Sequence, residues 1–161
     1  MIVVADTGPL HYLALIGEAT VLAPLYPRVL VPAAVVGEMR RPATPTVVRD
    51  WISRPPDWLE VRPDPPSDPT LSWLDHGEST AISLALSLDA GRVLIDDWDG
   101  RAEAVRRNLR VTGTLGVLVL AHRRGLLDFE TALARLSQTN FFLSAELVRL
   151  VRLRLSGGAA D

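Results

Sequence analysis

The chain has 161 residues, of which 48% are hydrophobic, and its formal net charge at pH 7 is −2. This length and composition predict one globular domain, exclude a disordered chain, and show no bulk basic field that would indicate a nucleic-acid partner. The sequence has neither cysteine nor lysine, which excludes disulfides, thiolate metal sites, thiol or Schiff-base catalysis and a Walker-type phosphate lysine.

The first half of the chain alternates strand and helix patterns. A β-branched run at residues 2–5 predicts a buried parallel strand, and Pro9 suits the first turn of the helix that follows. Further along, the patterns predict a short helix at 18–25, a strand at 29–31, a helix from 32 to 39 and a helix at 46–53. A proline-rich stretch then predicts a loop at 54–69, with a short strand at 59–61.

The second half continues this alternation and ends in helices. The patterns predict a helix at 77–88, a strand at 92–95, a helix at 100–108, an edge strand at 110–111, and helices at 113–122, 128–137 and 144–155. Strands that alternate with helices predict an α/β fold with a parallel sheet covered on both faces. We expect a single domain over residues 1–155 and a disordered tail over 156–161. Because the sequence shows no membrane span and no signal peptide, we expect a soluble, cytoplasmic protein.

Acidic residues directly follow two of the predicted strands. Asp6 follows the first strand, and Asp96, Asp97 and Asp99 follow the strand at 92–95. Parallel strands bring their carboxyl ends to one edge of a sheet, where sites form, so we expect these side chains to lie close together. The alternative role for each is to cap the next helix. One cap needs one Asp, however, and three acids after the same strand exceed that need.

Two glutamates on predicted helices are further candidates, and each has a structural alternative. A lone glutamate such as Glu38 is usually a solvent-facing helix residue. Asp75 and Glu78 have the spacing of a capping box, in which Glu78 would only close the start of its helix. Glu78 also falls on the buried stripe of that helix, which favours a role in a site.

Several other kinds of site are excluded by their motifs. The acidic run imitates part of an EF-hand loop, but the first and twelfth ligand positions would be Ile95 and Arg106, so Ca²⁺ is rejected. No G-x-G-x-x-G and no P-loop occurs, and the histidines lack metal-ligand spacing. The pattern of Arg149, Arg152 and Arg154 indicates a solvated helix face, with the alternative of guiding a phosphate backbone.

Five short motifs occur in order along the chain. They are Asp6-Thr7-Gly8-Pro9-Leu10, Val31-Pro32 with Glu38, Leu74-Asp75-His76-Gly77-Glu78 with Ala81-Ile82, Leu94-Ile95-Asp96-Asp97, and Gly113-Thr114-Leu115-Gly116. Together they resemble the PIN-domain nuclease family, and most closely its VapC-like toxin branch. Each motif is weak alone, whereas five in the right order are specific. The resemblance extends from Ile2 to about Leu147.

The resemblance implies a fold and a metal site. The implied fold is a three-layer α/β/α PIN-like fold, in which helices flank a central parallel sheet. The implied site residues are the four core acids Asp6, Glu38, Glu78 and Asp97, a fifth acid that is either Asp96 or Asp99, and the accessory hydroxyl of Thr114. Oxygen ligands without histidine or cysteine suit Mg²⁺ or Mn²⁺. Gly8 departs from the family, where many members have Ser or Thr, and the missing hydroxyl is expected to weaken substrate or water positioning.

The function implied by this resemblance is a Mg²⁺- or Mn²⁺-dependent endoribonuclease that is the toxin of a toxin–antitoxin pair. Its expected partners are an RNA substrate, an antitoxin protein and a second copy of the chain. Apolar residues on the early helices, Leu10, Tyr12, Leu13 and Leu22, motivate the homodimer because they exceed what one helix face needs to bury. Two alternatives stay open: another metal-dependent phosphohydrolase, and a non-catalytic PIN module that binds RNA or a protein.

Overall fold

A computed structural model describes residues 1–157 and contains five strands in one sheet. They are β1 (Ile2–Ala5), β2 (Arg28–Pro32), β3 (Leu59–Arg62), β4 (Arg92–Leu94) and β5 (Val111–Thr112). Every pairing is parallel, and the strand order is β3-β2-β1-β4-β5. The predicted parallel sheet is confirmed, including the short strand in the proline-rich loop.

Helices connect the strands and complete the fold. They are α1 (Thr7–Leu15), α2 (Leu22–Leu25), α3 (Ala33–Met39), α4 (Thr46–Ser53), α5 (His76–Ser87), α6 (Trp98–Arg106), α7 (Thr114–Arg123), α8 (Phe129–Ser137) and α9 (Ala145–Gly157). Each predicted helix is present, with ends that differ from the prediction by a few residues. The expected disordered tail is wrong for its first two residues, Ser156 and Gly157, which continue α9. The rest of that tail, 158–161, lies outside the described residues.

The side chains of the strands alternate between two apolar layers. Val3 and Ala5 of β1 face a core formed largely with α1, α7 and α8, whereas Val4 faces a core formed with α5 and α6. This alternation follows from the two-residue period of a strand, and it lets helices cover both faces of the sheet. The three-layer α/β/α arrangement is therefore confirmed.

The strand order places a crevice at one end of the sheet. The chain builds β1, β2 and β3 in one direction and then returns to place β4 on the other side of β1. The connections after β1 and β4 therefore leave in different directions, and the carboxyl ends of these two strands border an open crevice. Asp6 follows β1, and Asp96 and Asp97 come shortly after β4, so the acids lie at that edge.

The early helices bury their apolar residues within the chain. Leu10, Leu13 and Leu22 are each 0% exposed. Tyr12 packs edge-on against Phe141 with ring centroids 4.9 Å apart. The interpretation of these residues as an excess available for an interface is thus wrong, because α3, α4 and α7 pack against α1, and α7 also packs against α2. The homodimer stays a prediction. In the described part of the chain, no helix has both the length and the apolar character needed to span a bilayer.

Candidate active site

Asp6 is a buried carboxylate at the end of the central strand. Its backbone N–H donates to the Leu94 carbonyl oxygen at 2.9 Å, which ties it to β4. Asp6 occupies the N-cap position of α1, yet its side chain makes no capping hydrogen bond. The side chain is 5% exposed, and its Oδ1 has no hydrogen-bond partner in residues 1–157. The capping alternative is therefore wrong, and a buried carboxylate oxygen is left for another group to satisfy.

The surroundings of Asp6 oppose its ionisation. Burial is the main cause, and it raises the pKa of Asp6 to about 8, although a backbone hydrogen bond from Thr7 acts in the opposite direction. Nearby carboxylates raise the pKa further, and these are Asp75, Glu38 and Asp96. A site in which a carboxylate resists losing its proton is one that a bound cation would stabilise.

Glu38 reaches from α3 to the N-termini of two other helices. Its Oε2 accepts from the Thr7 hydroxyl at 2.5 Å, and its Oε1 accepts from the Gly77 N–H at 2.9 Å. A Cβ at Gly77 would lie 2.6 Å from Oε2, so glycine is needed for this close approach. Glu38 is half-buried and holds a fixed position. The solvent-facing alternative is wrong.

Glu78 is buried at the start of α5, with 6% exposure. Its backbone N–H donates to Asp75 Oδ1 at 2.8 Å, so one half of the predicted capping box is present. The Glu78 side chain does not complete the box but turns to the acidic crevice. Burial is the main reason that the pKa of Glu78 rises to about 8, and the carboxylates of Asp75, Asp97 and Asp6 raise it as well. The backbone of Glu78 is capped, and its carboxylate lies beside the other acids of the crevice.

Asp96 connects the sheet edge to α7. Its Oδ1 accepts from the Thr114 N–H and its Oδ2 from the Thr114 hydroxyl, both at 2.6 Å. Burial raises the pKa of Asp96, while these two hydrogen bonds lower it. Thr114 is fully buried beside the acids, which is where the resemblance placed its hydroxyl. A Cβ at Gly8 would come within 2.9 Å of Asp96 Oδ2, and one at Gly113 within 2.8 Å of Oδ1. Gly8 thus gives Asp96 its space.

Asp97 and Asp99 begin α6 and differ in their surroundings. The Asp97 carboxylate caps α6, accepting from the Asp99 N–H at 3.1 Å and the Gly100 N–H at 3.5 Å. It also shares a side-chain hydrogen bond with Glu78. The Asp99 side chain is exposed and forms no hydrogen bond or ion pair within residues 1–157. Of the two candidates for a fifth acid, the fold brings Asp96 to the cluster and leaves Asp99 outside it.

A buried glutamate elsewhere shows what the site lacks. Glu103 is 3% exposed, and its two oxygens pair with Arg107 at 2.9 Å and Arg106 at 2.7 Å. Asp6 and Glu78 are buried to a similar degree and form no ion pair with any residue that the structure describes. An ionised carboxylate that is buried needs a partner, and without one these two acids keep their protons to a higher pH.

The candidate ligands are of the type that a hard divalent cation prefers, but they are not already arranged around one point. All the candidate ligands are carboxylate oxygens, and Asp6 Oδ1 is unpartnered. Within residues 1–157, however, no group of three or more acidic or histidine side chains is placed so that it could hold a metal ion together. Binding would therefore require the carboxylates to rotate towards a common centre. The sequence predicts which acids lie near one another, but it does not predict how their carboxylates are oriented.

Some contributors to the site were missed by sequence reasoning. Asp75 was considered only as a cap, yet its charge acts on both Asp6 and Glu78. Arg101 was not singled out, and it places a positive charge beside Asp96. The glycines around the carboxylates stand in the same short motifs as the acids, and this proximity was the available signal.

The pKa shifts predict a fall in stability of the metal-free protein as pH rises. Asp6 and Glu78 have ordinary values of 3.8 and 4.5, and both rise to about 8 in the folded chain. Between these limits the unfolded chain ionises while the folded chain keeps its protons. The stabilising contribution is therefore complete below about pH 4 and is lost as pH rises through about 8.

Thermal unfolding in EDTA measures this effect. We expect the melting temperature to fall by at least about 5 °C from pH 5 to pH 9, and by much less in the Asp6→Asn/Glu78→Gln double variant. Equal falls in the wild type and the double variant would contradict the assignment to these two groups. The double variant is the control because other titrating groups affect both proteins alike.

Comparison with known proteins gives one matching family and distant similarity to solved structures. The family model DUF3368, described as a PIN domain, matches residues 2–156. No curated protein matches the chain. The chain is similar to a PilT N-terminus domain protein from the hyperthermophilic archaeon Sulfolobus solfataricus, at 15% sequence identity and a TM-score of 0.49, and the similarity covers 89% of this chain and 100% of that one. The family match includes every element that carries a candidate site residue.

Proposed function

This chain belongs to the PIN domain family, and on that basis we propose that it is a divalent-metal-dependent endoribonuclease. PIN domains are generally nucleases that use divalent ions, so a phosphodiester substrate and a metal follow the family. The proposal adds that the substrate is RNA and that the metal is Mg²⁺ or Mn²⁺. A single observation supports it most: Asp6 and Glu78 are buried carboxylates without a basic partner in the described chain, at the crevice between β1 and β4.

The site would combine acids that bind the metal with neighbouring residues that hold those acids in place. Asp6, Glu38, Glu78 and Asp97 would hold the metal, with Asp96 beside them. When bound, the metal would lower the pKa of a water and neutralise charge on the scissile phosphate. The chain itself holds the carboxylates in place: Thr7 and Gly77 fix Glu38, and Thr114 fixes Asp96.

Protons must leave this site when a cation binds. With pKa values of about 8, Asp6 and Glu78 each carry a proton in most metal-free molecules at neutral pH. A ligand carboxylate is ionised, so metal binding releases these protons and strengthens as pH rises. The burial that makes the metal-free acids weak also keeps water from screening their attraction for a cation.

Cleavage of single-stranded RNA in the presence and absence of metal tests the proposal. We expect a labelled RNA to be cut with Mg²⁺ or Mn²⁺, to stay intact in EDTA, and to be cut again when excess metal is restored. A small phosphomonoester assayed in parallel represents the alternative of a general phosphohydrolase. Undiminished RNA cleavage in EDTA would show that the metal requirement is wrong, and turnover of the phosphomonoester alone would show that the substrate is wrong.

The resemblance to the VapC-like branch supports two finer parts of the proposal. The first is that the ribonuclease acts as the toxin of a toxin–antitoxin pair. The second is that the antitoxin covers the acidic crevice and inserts an arginine, because a guanidinium pairs well with carboxylates and competes with metal. Asp6 Oδ1, which has no hydrogen-bond partner in residues 1–157, offers such an arginine an acceptor.

A further inference from the structure

The wall of one surface groove consists of arginine and apolar side chains. The groove has a volume of about 780 Å³ and lies between α6, the edge strand β5 and the end of α9. Four arginines line it, Arg92, Arg101, Arg110 and Arg154, and no acidic residue within the described range 1–157 does. The whole chain has a net charge of −2, so this surface differs in sign from the protein as a whole. A groove lined by one sign of charge focuses its field and favours a ligand of the opposite sign.

An exposed tryptophan stands in the same groove. Trp98 is the first residue of α6, and 80% of its surface is exposed. Val105, on the same helix, is 60% exposed and also lines the groove. A large aromatic side chain that finds no cover in its own chain provides a flat surface for a stacked ring. Arginines with an exposed aromatic are the combination that binds the backbone and the bases of single-stranded nucleic acids.

One end of the groove adjoins the acidic crevice. Arg101 lines the groove, donates from Nη1 to the Ile95 carbonyl oxygen at 2.9 Å, and places its positive charge beside Asp96. Trp98 directly follows Asp97 in the chain. A single-stranded nucleic acid bound in the groove would therefore continue to the carboxylates. This continuity is what separates a substrate path from an isolated basic patch.

We propose that this arginine groove binds the single-stranded segment of RNA next to the bond that is cut, with a base stacked on Trp98. The inference rests on the proposed nuclease function and names where its substrate lies. Single-stranded RNA fits better than a duplex, because a base must leave its stack to lie on an aromatic side chain. Phosphate groups fit the arginines, and Arg110 is exposed at the sheet edge, where a phosphate would contact it.

Direct binding of RNA without metal tests the groove separately from cleavage. The probe is a fluorescently labelled 12-nucleotide RNA, and its anisotropy is titrated with protein in EDTA at several salt concentrations. The groove variant Trp98→Ala/Arg110→Gln is compared with the control variant Trp73→Ala/Arg54→Gln. Each substitution in the control variant removes an exposed residue of the same kind from outside the groove, since Trp73 is 56% exposed and Arg54 is also exposed.

We expect the groove variant to bind at least about tenfold more weakly, because base stacking and one phosphate contact are lost. The slope of log affinity against log salt should fall in magnitude by about 0.7, the value for one contact with a single strand. The control variant should bind like the wild type. Thermal unfolding confirms that both variants fold.

Other outcomes overturn the proposal. Equal loss in the groove and control variants would mean non-specific attraction, and absence of RNA binding by the wild type would reject the groove as an RNA site. If a polyglutamate peptide binds more tightly than RNA and displaces the labelled RNA, the groove would be assigned to an acidic protein partner. RNA cleavage with unaltered binding in the groove variant would refute the groove while leaving the nuclease function intact. If the wild type binds RNA and the groove variant does not, but the wild type cuts no RNA with metal, the groove would be supported and the nuclease function rejected.

Discussion

The Asp6→Asn variant is expected to fold normally and to cut RNA at least about 10³-fold more slowly than the wild type. Asn keeps the shape of the side chain but removes a ligand charge, and a bound divalent ion contributes several kcal/mol to stabilising the transition state. The buried and unpartnered position of Asp6 Oδ1 is the reason for the size of this effect. Initial rates of RNA cleavage with saturating Mn²⁺ measure it.

The stability of the same variant separates a site residue from a structural one. The folded pKa of Asp6 is about 8, so above that pH the wild type must bury a charge that the variant lacks. In EDTA, Asp6→Asn should melt higher than the wild type at pH 9 and at nearly the same temperature at pH 4. A lower melting temperature at both pH values would show that Asp6 serves the fold.

In a bacterial host, growth arrest by the wild type and not by Asp6→Asn would support the toxin proposal.

Asp128→Asn is the matched control for this substitution. Asp128 is an acid whose role is capping, since it accepts from the N–H and the hydroxyl of Thr131 at 2.9 and 2.8 Å. Asn is an equally good N-cap residue. We therefore expect wild-type RNA cleavage and nearly unchanged stability. Loss of cleavage in this control would mean that removing an acid anywhere in the chain impairs activity.

The Glu78→Gln variant is expected to cut RNA at least about 10²-fold more slowly and to melt at the same or a higher temperature without metal. The cap of α5 survives this change, because the Asp75 carboxylate accepts from the backbone N–H of residue 78. At a pH above the folded pKa of about 8, the substitution removes a buried charge and its repulsion with Asp75, Asp97 and Asp6. Added Mn²⁺ should raise the melting temperature of the variant less than that of the wild type.

Glu103→Gln gives the opposite result and serves as the control. Glu103 is as buried as Glu78, but it pairs with Arg106 and Arg107. Its conversion to Gln should cost about 2 kcal/mol of stability, the usual contribution of hydrogen bonds to charged groups, and should leave cleavage close to the wild type. The two glutamates therefore respond in opposite directions if Glu78 belongs to the site. Wild-type cleavage by Glu78→Gln would return that residue to a capping role.

Much of the fold was readable from local patterns. The run at Ile2–Ala5, the prolines that open or end helices and the alternation of strands with helices predicted the parallel sheet. The errors were of two kinds. Helix ends shifted by a few residues, since caps depend on side chains that a pattern does not place. The apolar residues of α1 were interpreted as an interface, because sequence alone does not show which helices come to cover them.

Acids follow two of the predicted strands in the sequence, and the parallel direction of those strands brings the acids to one edge of the sheet. The sequence by itself could not decide which acid does what, because Asp96, Asp97 and Asp99 are neighbours in the chain and differ only in what surrounds them. The contacts in the folded chain distinguish them: Thr114 holds Asp96 at the cluster, and the side chain of Asp99 is exposed. The physical reason is that burial, charge repulsion and close approach to glycines depend on contacts between residues distant in sequence. The buried oxygen of Asp6 and the arginine groove arise in the same way, since both are assembled from separate elements of the fold.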